Sequence, residues 1–167
     1  MEDWLYRLSL SLVLGSVIGF ERFFVRKPAG LRTITLVCVG SAAMMLLGDR
    51  MHERNALIDP TRIAQGVITG IGFLGAGTIL HRRNDVVGLT TAATIWIASA
   101  VGMAAGAGEM GLALAGTVVG LVVLQVYGRL EVWMRRRGVR SRGPRADEEP
   151  GAGAPRPPRG PGHGGAA

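Results

Sequence analysis

The first stretch whose residue types could do chemistry is the glycine-rich run GIGFLG at residues 70–75. Its spacing matches GxGxxG, which binds a dinucleotide when a strand precedes it, a helix follows it and an acidic residue lies about 20 positions on. Here the run lies inside residues 63–80, which carry no charge, and the next acid is Asp85, ten positions after Gly75. Because the required context is missing, the sequence argues against a nucleotide site.

A second candidate is a set of charged side chains next to apolar runs, namely Glu21, Arg22, Arg32, Asp59 and Arg62. Such residues either snorkel and pair at the membrane interface or form a polar cluster that binds a cation, a substrate or a partner. A Glu21–Arg32 ion pair is the simpler account at one end. Asp59 and Arg62 flank Pro60 and fit a cap of the following helix. The sequence leaves both alternatives open.

Other combinations of reactive residues are not visible. The three histidines (His52, His81 and His163) lie far apart in polar segments, and Cys38 is the only cysteine. A Cys-based metal site and an intrachain disulfide are therefore excluded. With no acid–base pair and no Ser/His/Asp set in the sequence, we expect no enzymatic activity, no metal and no cofactor.

Long apolar blocks must position these residues. They have the length of membrane-spanning helices, for which about 20 mostly apolar residues are needed. We predict an all-α integral membrane protein, a bundle of about five transmembrane helices at residues 4–25, 31–48, 61–80, 89–106 and 110–127. This transmembrane domain, residues 1–128, is followed by a basic juxtamembrane segment that could lie on the membrane surface, and then by a disordered Gly/Pro/Arg-rich tail, at residues 129–142 and 143–167.

Glycine pairs at GxxxG spacing occur on four of the predicted helices, at Gly15/Gly19, Gly66/Gly70, Gly102/Gly106 and Gly116/Gly120. Such pairs allow helix backbones to approach closely. The glycines of the third helix, which also include Gly72, Gly75 and Gly77, are predicted to be a contact seam for helices 1 and 4 and for a neighbouring subunit. The alternative is that they let this helix break and expose carbonyl groups to an ion. Threonines on helices 3 and 4 could bond between the helices or back to their own turns: Thr69, Thr78, Thr90, Thr91 and Thr94.

The charge distribution predicts the orientation in the membrane. The net charge is +7, which alone would suit a nucleic-acid ligand, but the Lys and Arg residues flank the apolar runs or lie in the tail. Under the positive-inside rule, 15 of the 19 fall on one side, which would be cytoplasmic. We therefore expect the amino terminus outside, the tail inside, the lipid bilayer as a partner and no nucleic acid.

The residues also resemble a known family. Gly15-x3-Gly19-x-Glu21-Arg22, the run GIGFLGAG at 70–77 and GLTTAAT at 88–94 resemble the signature of the MgtC/SapB family over about residues 4–128. The resemblance implies a multi-pass bacterial inner-membrane protein, related to virulence in some members. It implies a regulator of magnesium homeostasis or of other membrane proteins, such as the ATP synthase.

Three features differ from the family pattern, one of which is that Gln65-Gly66 stand where the family often has Ala-Gln before the glycine run. Longer members carry a folded cytoplasmic domain after the last helix, so this sequence resembles a short member that lacks it. Arg82-Arg83 stand where the virulence-type member has an acidic residue, and Thr90 replaces an asparagine. An alternative function is a small ion or solute transporter or channel that acts as an oligomer, and a purely structural membrane protein is a third.

Overall fold

The fold is set by five apolar helical stretches separated by glycine, proline and charged residues. The structure is a computed structural model that describes residues 3–82 and 85–137. Its helices are α1 (Asp3–Phe24), α2 (Leu31–Arg54), α3 (Thr61–Ala76), α4 (Leu89–Gly106), α5 (Met110–Val122) and α6 (Gly128–Arg136). A π-helical turn, Val123–Tyr127, joins α5 to α6 without a break in the helix.

Three of these stretches have the length and composition to cross a membrane: Leu31–Arg54, Leu89–Gly106 and Met110–Met134. The other two long helices are less apolar or shorter. Four charged residues lie near the ends of α1, and α3 has 16 residues, or about 24 Å of helix against a bilayer core of about 30 Å. The predicted fold class, an all-α membrane bundle of about five helices, is confirmed.

Two predicted helix ends are wrong. The second helix continues to Arg54 instead of ending near Gly48, because residues 49–54 contain no proline and Asn55 then leaves the helical conformation. The third helix ends at Ala76 instead of Leu80. Gly77 and the β-branched Thr78 and Ile79 follow, and the chain forms a short antiparallel hairpin of β1 (Leu80–Arg82) and β2 (Asp85–Val87).

The centre of the bundle is built by α1, α2 and α4. A Cβ placed on Gly15 would lie 2.7 Å from Cβ of Cys38, and one on Gly102 would overlap the Cys38 carbonyl oxygen. Cys38 is fully buried and unpaired, and it is a small residue of the core. The backbones of these three helices therefore pack directly against one another at small residues.

One compact unit comprises residues up to Glu131. The described residues beyond it complete α6 and end at Arg137. The predicted surface location of the juxtamembrane segment stays a prediction. The predicted disordered tail, residues 143–167, lies outside the described residues.

Candidate functional site

The end of the bundle where α1 stops and α2 starts holds a buried arginine. Arg22 continues the buried stripe of α1, which also contains Gly15, Ile18 and Gly19, and it is 2% exposed. Its Nη1 lies 3.5 Å from Oε2 of Glu21, and its Nε and Nη2 are buried without a hydrogen-bond partner. A buried guanidinium with so few partners is energetically costly, which makes it the strongest candidate for a functional group.

Arg32 does not take part in this pair. It lies one residue into α2 and its side chain is exposed, while the ion-pair partner of Glu21 is Arg22. The predicted Glu21–Arg32 pair is therefore wrong.

Asp59 and Arg62 belong to the opposite end of the bundle. Gly48 of α2 packs against Ile63 there, about 25 Å along the helix from Leu31 at the usual rise per residue. The Asp59 carboxylate accepts a hydrogen bond of 2.9 Å from the Thr61 N–H. Hydrogen bonding from the Thr61 side chain, and then from this N–H, holds the pKa of the Asp59 carboxyl below its usual value. The structure thus splits the five predicted polar residues into two separate groups, and Asp59 acts as a cap of α3.

Arg7 forms a polar cluster that the sequence did not predict. Its guanidinium contacts three groups. It donates 3.0 Å to the Gly106 carbonyl oxygen and 3.4 Å to Asp49, and it also pairs with Asp3. Arg7 therefore connects α1 to the carboxyl-terminal ends of α2 and α4.

A sequence signal for this contact exists. Arg7 and Asp49 each lie 21 positions from Pro28, where the chain turns between α1 and α2, so an antiparallel pair of helices brings them to the same level. Beside them lies a cleft of about 550 Å³. It is lined by acidic and basic side chains together with two apolar ones: Asp3, Trp4, Arg7, Leu46, Asp49, Arg50, His52, Glu53 and Arg54.

The glycines of α3 behave differently from those of the core. Gly66, Gly70 and Gly72 are exposed, and a Cβ on any of them would meet nothing within 4 Å. Only Gly75 meets another helix, with Ala92 of α4 at 3.7 Å, while Gly77 meets carbonyl groups of its own helix. The predicted seam with helices 1 and 4 is therefore not formed within the chain at the first three glycines.

The threonines mostly bond within their own helices. Thr69, Thr78 and Thr94 donate to the carbonyl groups of Gln65, Gly75 and Thr90 at 2.7–2.9 Å. Thr90 is exposed and Thr91 is buried at the start of α4. Two hydroxyl contacts between described residues join different helices, and the sequence singled out neither of them. They are the buried Ser41–Ser99 hydrogen bond of 2.8 Å between α2 and α4 and the Ser16–Thr35 hydrogen bond of 3.3 Å between α1 and α2.

No metal-binding geometry is formed in the described part of the chain. Within residues 3–82 and 85–137, no three His, Cys, Asp or Glu side chains are grouped so that they could hold a metal ion. The expectation of no metal and no cofactor stays a prediction.

Comparison with known proteins assigns the bundle to a family. The sequence model of the MgtC family matches residues 8–133, which include the helical bundle from Leu8 of α1 onward and most of α6. The chain belongs to the MgtC family. The resemblance carried by the glycine and threonine motifs is thereby confirmed.

Curated relatives within the MgtC family have several names. The chain is 43% identical over 133 residues to "Putative magnesium transporter YhiD" of Escherichia coli K12, a match that covers 77% of this chain and 62% of the relative. It is 44% identical over 153 residues to "Protein SrpB" of Synechococcus elongatus, a match that covers 80% of this chain and 82% of that relative. It is 42% identical over 135 residues to "Protein MgtC" of Brucella abortus, a match that covers 78% of this chain and 56% of that relative.

The match thus spans about three fifths of the length of YhiD and of the Brucella protein. No solved structure matches the chain significantly.

Proposed function

We propose that this chain is a multi-pass protein of the bacterial inner membrane that regulates magnesium homeostasis by binding another membrane protein, and that it is not an enzyme. Membership of the MgtC family and the naming of its relative YhiD as a putative magnesium transporter support a role connected with this ion. The lack of any acid–base or nucleophilic set in the sequence supports a non-catalytic role.

The observation that carries the binding proposal is the exposed glycine face of α3, defined as Gly66, Gly70 and Gly72. A lipid-facing helix gains from large apolar side chains, whereas glycine leaves the polar backbone uncovered. The GxxxG spacing of Gly66 and Gly70 allows a second helix to approach the backbone closely. No residue of the described chain fills the space over these three glycines, so we assign it to a helix of a partner.

A substitution at the centre of this face tests the proposal. Gly70→Leu places a large side chain in open space, so the chain should fold normally while the partner is blocked. Gly40→Leu is the matched control, because Gly40 is also exposed within a helix and also has nothing within 4 Å. Crosslinking in native membranes followed by purification should recover a partner with the wild type and with Gly40→Leu, but not with Gly70→Leu.

Growth at low magnesium provides the functional readout. Deletion should impair growth, and Gly40→Leu but not Gly70→Leu should restore it. Equal recovery of a partner with both variants would assign the contact to another face. Normal growth of the deletion strain together with no crosslinked protein would reject the regulator proposal.

A second candidate function is a small ion or solute transporter that acts as an oligomer. The name of YhiD and the buried Glu21–Arg22 pair favour it. Purified protein in liposomes should then carry a magnesium flux, and Glu21→Gln should abolish the flux without changing assembly. Loss of folding in that variant would instead indicate that the ion pair is structural.

A further inference from the structure

Arg22 has a bonding deficit on one defined edge of its guanidinium. The two nitrogen atoms without partners are Nε and Nη2. In arginine these two atoms form one side of the planar group, and their N–H bonds point in nearly the same direction. This side is the one that binds two oxygens of a single phosphate or carboxylate. The third nitrogen, Nη1, lies 3.5 Å from the Glu21 carboxylate, and this contact orients the guanidinium. The N–H groups of the Nε–Nη2 edge have no acceptor.

The position of Arg22 relative to α2 adds to the attraction for an anion. Gly19, one turn earlier on the same buried stripe, packs so closely on α2 that a Cβ there would lie 2.8 Å from Cα of Leu31. Arg22 is thereby placed at the start of α2. This helix begins at Leu31 with no side-chain cap and no acidic residue in its first turn. Its first N–H groups lack intrahelical partners and carry the positive end of the helix dipole.

The sequence around Arg22 carries mostly positive charge, like the start of α2. Residues 21–32 contain four cationic side chains, Arg22, Arg26, Lys27 and Arg32, against the single carboxylate of Glu21. Arginine keeps its charge in proteins, so burial cannot be relieved by loss of a proton. An oxyanion is the ligand that satisfies this set of donors.

We propose that the Nε–Nη2 edge of Arg22 binds a phosphate group at the end of the bundle formed by α1 and α2. The phosphate is either the headgroup of an anionic phospholipid or a free phosphate. Residues 25–28 of the connection between α1 and α2 are exposed at this end of the bundle. One residue of this connection, Arg26, has a left-handed φ of 54°, which is unfavourable for a side chain other than glycine. This site is independent of the partner contact proposed on α3.

The experiment uses the full chain, purified in phosphate-free buffer and in detergent free of phospholipid. Thermal unfolding is measured with short-chain phosphatidylglycerol, with inorganic phosphate, and with diacylglycerol as a lipid that has no headgroup phosphate. A ligand that binds the folded state raises Tm in proportion to the logarithm of its concentration. The variants are Arg22→Gln and Arg22→Lys, with Arg32→Gln as a control that removes an exposed cation from the same end.

Phosphatidylglycerol should raise Tm for the wild type and Arg32→Gln, while diacylglycerol should not. The shift should be absent in Arg22→Gln. In Arg22→Lys it should require about tenfold more ligand, because lysine cannot form the two parallel hydrogen bonds. A response to phosphatidylglycerol alone identifies a lipid headgroup, and an equal response to inorganic phosphate identifies a free phosphate.

A readout without ligand separates this role from a structural one. Arg22→Gln should be at least as stable as the wild type in ligand-free detergent, since it removes a buried charge with too few partners. If Arg22→Gln does not fold, the proposal is tested by comparing the ligand-induced Tm shifts of the wild type, Arg22→Lys and Arg32→Gln. No Tm shift in the wild type, or equal shifts in the wild type and Arg22→Lys, would overturn the proposal. A third outcome would also overturn the proposal. If the wild type shows no ligand response and Arg22→Lys loses a co-purifying protein, the edge binds a carboxylate of a partner protein.

Discussion

Two helices of the bundle end in the same hydrogen-bond pattern with different residues at the critical position. At the end of α1, the N–H of Lys27 donates to the Arg22 carbonyl and the N–H of Arg26 donates to the Phe23 carbonyl, both at 3.0 Å. This is a Schellman motif, in which the left-handed residue is usually glycine. At the end of α4 that residue is Gly108, with φ 83°, whereas at the end of α1 it is Arg26, with φ 54°.

Arg26→Gly should therefore stabilise the protein. A side chain in the left-handed conformation costs about 1–2 kcal/mol, and glycine avoids this cost. Part of the gain is offset because glycine is more flexible in the unfolded chain, so we expect a net increase of about 1 kcal/mol. Thermal or denaturant unfolding in detergent measures it. Lys27→Gly is the control, since it removes the same charge from the neighbouring position without a positive φ. An equal effect of both variants would contradict the conformational explanation.

The candidate site could be predicted from the sequence only in part, for reasons visible at single residues. A charged residue at the end of an apolar run can be recognised without a structure, as with Arg22. The partners of such a residue depend on which helix faces it. Arg7 reaches Asp49, which is 42 positions away, and Glu21 pairs with its neighbour instead of with Arg32. Charge type is local information, whereas pairing requires the packing of α1 on α2.

At the level of helices, the closest packing lies between α2 and α4. Gly102 and Gly106 lie one turn apart on α4, and a Cβ on either would overlap a carbonyl oxygen of α2, that of Cys38 or Ala42. The surrounding atoms are backbone and cannot rotate away. The glycines of α3 do not have this constraint, although the sequence pattern of the two helices is the same.

Gly102→Ala should accordingly be strongly destabilising. Forcing a methyl group into this space costs about 1–3 kcal/mol or more, because the two helix backbones must separate. Gly66→Ala is the matched control on α3, where the added Cβ meets nothing within 4 Å. It should be neutral or slightly stabilising in the monomer, since alanine is the better helix former. Unfolding in detergent measures both, and equal destabilisation would mean that α3 is packed within the chain.

Helix boundaries were predictable where glycine or proline marks them. The bounds of α4, Leu89–Gly106, agree with the sequence prediction because Gly88 and Gly108 both have positive φ, at 96° and 83°. Two other ends were predicted wrongly, because residues 49–54 contain neither glycine nor proline and Gly77 after α3 keeps a helical φ of −61°. The charged residues 49–54 resemble a loop in composition but continue α2, and the apolar residues after Ala76 resemble a helix but form a β-hairpin.

For the whole molecule, the sequence predicted the architecture better than the site, because membrane insertion depends on long averages of hydropathy. Within the described residues, three helical stretches are long and apolar enough to satisfy this requirement without help from the rest of the bundle. The shorter α3 and the more charged α1 can be placed in the bundle only from the tertiary structure. There Arg7 is bonded to α2 and α4, and Arg22 is buried. The positive-inside distribution predicts that the connection between α1 and α2 lies in the cytoplasm and that between α2 and α3 lies outside.

This orientation can be tested with single cysteines. Lys27 and Leu57 are exposed in these two connections, and Leu57 is 92% exposed. In spheroplasts, an impermeant maleimide should label Leu57→Cys, whereas Lys27→Cys should react only after lysis. The parent chain should stay unlabelled, because its single thiol, Cys38, is buried between α1 and α4. Reversed labelling would invert the orientation. Labelling of both cysteines from one side would mean that α2, which has 24 residues between the two connections, does not cross the membrane.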